Sequence, residues 1–291
     1  MPDENYLPDL RDRLGVPGII DVHTHFMPDS VMQKVWAYFD SAGPLVGRTW
    51  PIAYRADEQV RLKTLRGFGV RAFTALVYPH KPEMAAWLNE WTAEFAERTP
   101  DCLHTATFFP EPSAADYVRA AIEKGARVFK VHVQVGRFDP RDPLLDPVWC
   151  LLEDAAIPVV IHCGSGLVPG EYTGPGPITP VLQRFPRLRL IIAHMGMPDY
   201  SDFLDLADQY ADLRLDTTMV WTDFTESQTP FPTTELTRLR DVGDRILFGS
   251  DFPNIPYPYE HSIQVLEQLN LGDDWLRRVC YQNAAELFAI T

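Results

Sequence analysis

Two histidines stand two residues apart in Ile19-Ile20-Asp21-Val22-His23-Thr24-His25, just beyond an apolar start that reads as a buried strand. Strand side chains repeat every second residue, so His23 and His25 project from one face. Two neutral imidazoles on one rigid face are half a metal site, because imidazole is the commonest protein ligand for zinc and its neighbours. A histidine pair on a strand also arises by chance, and it gains weight only if other strands end on further ligands. Later apolar runs do end on such residues: Lys130 with His132, His162, His194 and Asp251. With the first pair, five of the 8 histidines of the chain lie at strand ends, more than random scatter would place there.

The elements that must position these side chains recur as a unit: an apolar run, a polar or Gly/Pro loop, then an amphipathic stretch. After the first strand, the expected strands are Ala72 to Tyr78, Thr105 to Phe109, Val128 to Val133, Pro158 to His162, Leu188 to His194 and Leu213 to Thr217. An eighth, Ile246 to Phe248, runs into Gly249-Ser250-Asp251. Helices are expected from Pro82 to Glu97, with the proline in the first turn, from Ser113 as N-cap to Glu123, and from about Pro147 to Ala156. Gly125 should end the second of these, and two more helices begin at His261 and Asp273. Strands alternating with helices imply a parallel sheet, and near-continuous apolar strands imply one covered on both faces. Thirty residues separate His132 from His162, 32 separate His162 from His194, and 57 separate His194 from Asp251, room for two units. The expected architecture is therefore α/β, a closed (β/α)8 TIM barrel forming one domain over residues 1–291, with a long insertion after strand 1 and extra C-terminal helices. A doubly wound open sheet is the alternative. Barrels of this kind place their chemistry at the C-terminal ends of the strands, where the residues above fall.

Composition narrows the function classes. At 291 residues with 46% hydrophobic and 23% charged residues, the chain has material for one large core. A net charge of −14 argues against a sequence-blind nucleic-acid binder, which needs basic surface to displace counterions. The 4 cysteines, Cys102, Cys150, Cys163 and Cys280, are scattered without a C-x-x-C pair, which fits reduced thiols rather than a disulfide framework. The N-terminal stretch is polar and acidic, unlike a secretory signal, and no run approaches the ~20 apolar residues of a membrane helix. A cytoplasmic protein acting on a small molecule, without nucleic-acid or membrane partners, is expected.

The stretches DVHTHFMP (21–28), FKVHVQVGRFDPRDPLLDPVW (129–149), IPVVIHCGSG (157–166), LIIAHMG (190–196), ILFGSDFP (246–253) and NAAELF (283–288) resemble the amidohydrolase superfamily. More closely, they resemble its amidohydrolase-related branch, which contains aminocarboxymuconate semialdehyde decarboxylase and several hydrolases. The motifs span essentially the whole chain and arrive in family order. The resemblance implies that His23, His25, His162 and Asp251 bind one divalent ion, Zn2+ first, with Mn2+, Fe2+ or Co2+ as alternatives. Such an ion lowers the pKa of a bound water from ~15.7 towards ~7. Asp251 would also accept that water's proton, a general-base role suited to a carboxylate beside the nucleophile. Without the histidines, Asp251 in GSDFP would read as a turn residue. His194, by resemblance, lines the site and orients water or polarises the scissile group; the alternative is a satisfied core histidine.

Lys130 and His132 share one strand face. In binuclear superfamily members a carbamylated lysine at this strand bridges two metals. The branch resembled here is typically mononuclear, which favours Lys130 as a cation that stabilises a substrate anion. His80 follows strand two on the active-site side and could reach substrate, whereas His104 and His261 read as structural or solvated. The segment Phe26 to Tyr54 exceeds the usual 2–6 residues of a βα loop. Its Trp36, Tyr38, Phe39 and Trp50 would wall a pocket, with Arg48 or Arg55 anchoring a carboxylate, or else pack on the barrel rim. By analogy with the family, the segment would also support a homodimer. The expected function is a metal-dependent hydrolase of an amide, lactone or related bond. The same ligands would serve a non-oxidative decarboxylase of an aromatic or unsaturated acid, and a relic binding module is the third class.

Overall fold

Beyond Phe73 the apolar run of Ala75, Leu76 and Val77 stays buried but lies outside the strand. The computed structural model describes residues 5–290. Its strands among these, in chain order, are β1 (Ile19–Asp21), β2 (Val70–Thr74), β3 (Cys102–Leu103), β4 (Thr105–Thr107), β5 (Val128–His132), β6 (Val159–His162), β7 (Leu190–Ile192), β8 (Arg214–Asp216) and β9 (Ile246–Leu247). The chain forms two compact units, Met1–Phe73 with Thr217–Thr291, and Thr74–Asp216.

In the unit Thr74–Asp216, β4 to β8 lie side by side in sequence order and all parallel, with Thr105 opposite Val128, His132 opposite His162, Val160 opposite Ile191 and Ile191 opposite Arg214. Val128, Phe129, Val131, Val159, Val160, Ile161, Leu190, Ile191 and Ile192 are all buried, so both faces of the sheet are covered. Helices Ala85–Arg98, Ala114–Glu123, Asp146–Asp154, Pro175–Arg184 and Tyr200–Gln209 alternate with these strands. Gly125 ends the second of them as expected. Its φ is +88°, its N–H donates to the Ile122 carbonyl at 2.9 Å, and Ala126 N–H donates to Ala121 at 2.9 Å, the paired bonds of a Schellman stop.

Several boundaries differ from the sequence expectation for physical reasons. The second strand ends at Thr74, because Ala75 N–H bonds the Thr105 hydroxyl at 3.1 Å rather than a neighbouring ladder. Apolar composition there records burial. The helix expected from Pro82 starts at Ala85, since Glu83 adopts φ +66° with its N–H on a Glu111 carboxylate oxygen at 2.7 Å. Ser113 holds the N-cap position, but its φ of −84° and ψ of −1° are helical and its hydroxyl caps nothing. The strand expected to reach His194 stops at Ile192.

In the other unit, β1 pairs in parallel with β2, Ile20 opposite Ala72 and Asp21 opposite Phe73. The chain then runs on beside residues 248–252: Val22 N–H bonds Phe248 O at 2.9 Å, and His25 N–H bonds Phe252 O at 2.7 Å. The long segment after β1 is mostly helical, Asp29–Ser41 and Gly43–Val46, and is followed by Glu58–Gly67, whose N-cap Asp57 accepts from Val60 N–H at 2.9 Å. Asn283, in the C-terminal NAAELF stretch, donates its amide to Gly243 O at 2.8 Å and Ile246 O at 2.7 Å, fixing the start of β9. Helices His261–Gln268 and Asp273–Arg277 lie where expected. Among the described residues no helix is long and apolar enough to cross a membrane.

Candidate metal centre

His23 and His25 lie just past β1 on one continuous extended stretch, which turns both rings towards a single carboxylate. The Asp251 Oδ1 is 2.9 Å from His25 Nε2 and 3.6 Å from His23 Nε2, and the two ring centroids are 5.2 Å apart. All three side chains are buried. Asp251 reaches this position from a backbone with φ +76°, a left-handed conformation that costs a residue bearing Cβ roughly 1–2 kcal/mol. Its N–H donates to His23 O at 2.8 Å, and the next residue, Phe252, donates to the Ser250 hydroxyl at 2.9 Å. The strained turn therefore locks the carboxylate to the histidine strand.

Beneath this cluster Asp21 accepts from His23 N–H and Ser250 N–H, both at 3.1 Å, and from the Tyr259 hydroxyl at 2.8 Å. Burial pushes the Asp21 carboxyl up to about 7, against the donors that pull it down. Asp21 and Tyr259 were not singled out from the sequence. The available signal was the two-residue alternation Asp21, His23, His25.

Two imidazoles and a carboxylate are a donor set that zinc and other first-row divalent ions accept. His23 and Asp251 offer ligand atoms within 4.8 Å of each other. Buried nitrogen and oxygen donors gathered about one carboxylate fit a divalent cation.

In the unit Thr74–Asp216 the parallel register sets His132 beside His162, and their rings stack at 3.8 Å with 16° between planes. His194 follows, its ring 4.7 Å from that of His162. His132 Nδ1 accepts from Val135 N–H at 3.3 Å. Lys130, fully buried, lies two residues before His132 on the same strand.

His194 and Met195 adopt φ +54° and +51°, and His194 N–H donates to the Asp216 carboxylate at 2.8 Å. The glycines of the two motifs explain themselves here. A Cβ on Gly164 would meet the Gly196 backbone at 2.5 Å, and one on Gly196 would meet the Phe203 ring at 1.9 Å.

The remaining candidates are placed as follows. Trp36 is buried with its indole N–H on Asn254 Oδ1 at 3.1 Å. Arg48 lies over the Phe224 ring at 4.3 Å and donates to the Phe224 carbonyl, with the Ser227 hydroxyl at 3.3 Å. Arg55 pairs with Asp40 through two bonds of 3.0 and 2.6 Å. Trp50 packs between Phe39 and Phe224, centroids 4.8 and 4.7 Å away. This segment thus packs on its neighbours in the manner of a rim. His80 is exposed.

A family model described as amidohydrolase matches residues 20–290. The chain belongs to the amidohydrolase family. No curated protein sequence matches this family member. Solved structures do. An uncharacterised TIM-barrel protein from Bordetella bronchiseptica is 20% identical, with a TM-score of 0.74, covering 93% of this chain and 98% of that one. A probable 2-pyrone-4,6-dicarboxylic acid hydrolase from Acinetobacter baumannii is 14% identical, TM-score 0.61, covering 94% and 100%. A 5-carboxyvanillate decarboxylase from Novosphingobium aromaticivorans, complexed with manganese and 4-hydroxy-3-methoxy-5-nitrobenzoic acid, is 13% identical, TM-score 0.60, covering 94% and 96%. The fold of this amidohydrolase-family chain is a parallel α/β fold similar to that of the Bordetella TIM-barrel protein. Its family is one of enzymes that imply a divalent metal, and its structural neighbours include both a hydrolase and a decarboxylase.

Proposed function

We propose that this amidohydrolase-family protein hydrolyses an amide, lactone or related bond of a small organic substrate at a mononuclear centre. His23, His25, His162 and Asp251 would hold the ion, zinc in the first instance, at the C-terminal ends of the barrel strands. The observation that carries this reading is the convergence of His23 Nε2, His25 Nε2 and Asp251 Oδ1. When bound, the ion supplies Lewis acidity that lowers the pKa of water and polarises a carbonyl.

The protein's own groups do the rest. Asp251 takes the proton of the attacking water and returns it to the departing nitrogen or oxygen as the scissile bond breaks. His194 donates to the carbonyl oxygen, where negative charge grows. Lys130 holds a substrate anion through its ammonium.

The decarboxylase among the structural neighbours supports a second reading, in which Lys130 steadies the substrate carboxylate during decarboxylation. There the C–C bond breaks, CO2 departs, and a proton from Asp251 or water reaches the carbon left behind. Purified protein is offered lactones, amides and hydroxylated aromatic acids while pH and released CO2 are followed. Acid release from a lactone or amide supports hydrolysis, and CO2 from an aromatic acid replaces it with the second reading. Protein with no bound metal, inert after zinc or manganese is added, defeats both.

A further inference from the structure

The turn that carries Asp251 needs support, because its left-handed backbone is retained only where the surroundings over-determine it. Part of that support comes from one residue, Asn254, which is almost fully buried. Its N–H donates to the Asp251 carbonyl at 2.8 Å and closes the turn. Its side-chain oxygen accepts the Trp36 indole N–H at 3.1 Å, and its carbonyl accepts the Trp50 indole N–H at 2.7 Å. Two tryptophans from the long segment after β1 thus aim their only polar atom at one residue, three positions from the proposed ligand.

The grip continues along the chain. Ala53 N–H bonds Ile255 O at 2.9 Å, and the Tyr54 hydroxyl accepts from Tyr259 N–H at 2.7 Å. Burial alone does not require this arrangement, since an indole N–H is satisfied by any nearby carbonyl.

We infer that Asn254, held by Trp36 and Trp50, is a positioning residue: it fixes the turn that presents Asp251 to a divalent ion. The inference rests on the proposed role of Asp251 as a ligand. Removing the Asn254 side-chain acceptor or the Trp36 donor keeps the backbone bonds of the turn but releases its Trp36 anchor, which lets the carboxylate shift relative to His23 and His25. Groups that orient metal ligands in this way typically change affinity by about 10–100-fold. Because the Trp36–Asn254 bond is shared, its two ends act as one unit.

The test measures zinc and manganese dissociation constants by chelator competition for the wild type, Asn254→Ala, Trp36→Phe and the double variant, with thermal unfolding of each metal-free protein. The expected result is at least about tenfold weaker binding in each single variant. The double variant should bind no more weakly than the weaker single one, with metal-free unfolding temperatures within a few degrees of wild type. Binding within twofold of wild type in Asn254→Ala, or single losses that multiply in the double variant, overturns the inference. Should Asn254→Ala fail to fold, Trp36→Phe decides alone, because it keeps the ring and leaves Asn254 in place. A wild type that binds neither ion overturns the proposed centre itself, a different failure from unchanged affinity in the variants.

Discussion

His25 Nε2 and Asp251 Oδ1 face each other across 2.9 Å in a buried setting, although 226 residues separate them in the chain. A contact that the fold takes such trouble to close is expected to matter more for metal binding than for stability. His25→Ala and Asp251→Ala should keep the far-ultraviolet spectrum of the parent, lose the metal, and lose on the order of 10³-fold or more in turnover. Metal analysis after gel filtration checks this. Full metal content in either variant would remove that residue from the ligand set.

Lys130 tests whether the centre holds one ion or two. Lys130→Met should retain one equivalent of metal per chain while turnover falls, because the lysine is assigned to substrate and not to the ion. Two equivalents in the wild type, dropping to one in the variant, would make Lys130 a bridging ligand instead.

The thiols give a pH-dependent prediction. Cys102, Cys163 and Cys280 are buried, and burial pushes all three thiols up, Cys280 to about 12. Cys150 is exposed, and the Asp154 charge beside it raises its thiol as well. A raised pKa means less thiolate at a given pH, and the thiolate is the reactive form. A maleimide at pH 8 should therefore label one thiol in the native protein, Cys150, more slowly than free cysteine and faster as pH rises. The other three should react only in denaturant. Mass spectrometry that finds a second native label would contradict the assigned burial.

Arg61 supplies a stability prediction of unusual sign. Its side chain is buried, its Nε and Nη1 have no hydrogen-bond partner, and it rests on the rings of Phe26 at 5.2 Å and Trp36 at 5.5 Å. Desolvating a cation costs several kcal/mol, while each desolvated ring contact returns about 2 kcal/mol or more. The two effects nearly cancel. Arg61→Met, which keeps the length and contacts both rings through sulfur, should shift stability by no more than about 1 kcal/mol. A urea midpoint showing a loss above ~3 kcal/mol would mean that the guanidinium holds something the ring contacts do not account for.

Much of this was legible in the chain because the histidines sit where apolar runs stop, and the period-two rule correctly put His23 and His25 on one face. The register of β5 and β6 then delivers the His132–His162 stack without further instruction. What composition could not convey was backbone hand. His194 and Asp251 both lie on left-handed turns beyond their strands, and no local pattern distinguishes such a turn from a strand's last residue. Trp36 and Arg48 read as pocket walls because aromatic and cationic side chains suit ligands. Their engagement by Asn254 and Phe224 depends on partners some 200 places away, which a linear reading does not supply. Asn254 itself, one amide among prolines, carried no signal at all.

Gly164 and Gly196 each lie two places after a site histidine, His162 and His194, and their main chains touch. The gap between those imidazoles is consequently ruled by the thickness of two bare peptide planes, not by any side chain that could be exchanged. These two positions admit no group larger than hydrogen, so the spacing they set is closed to change by substitution.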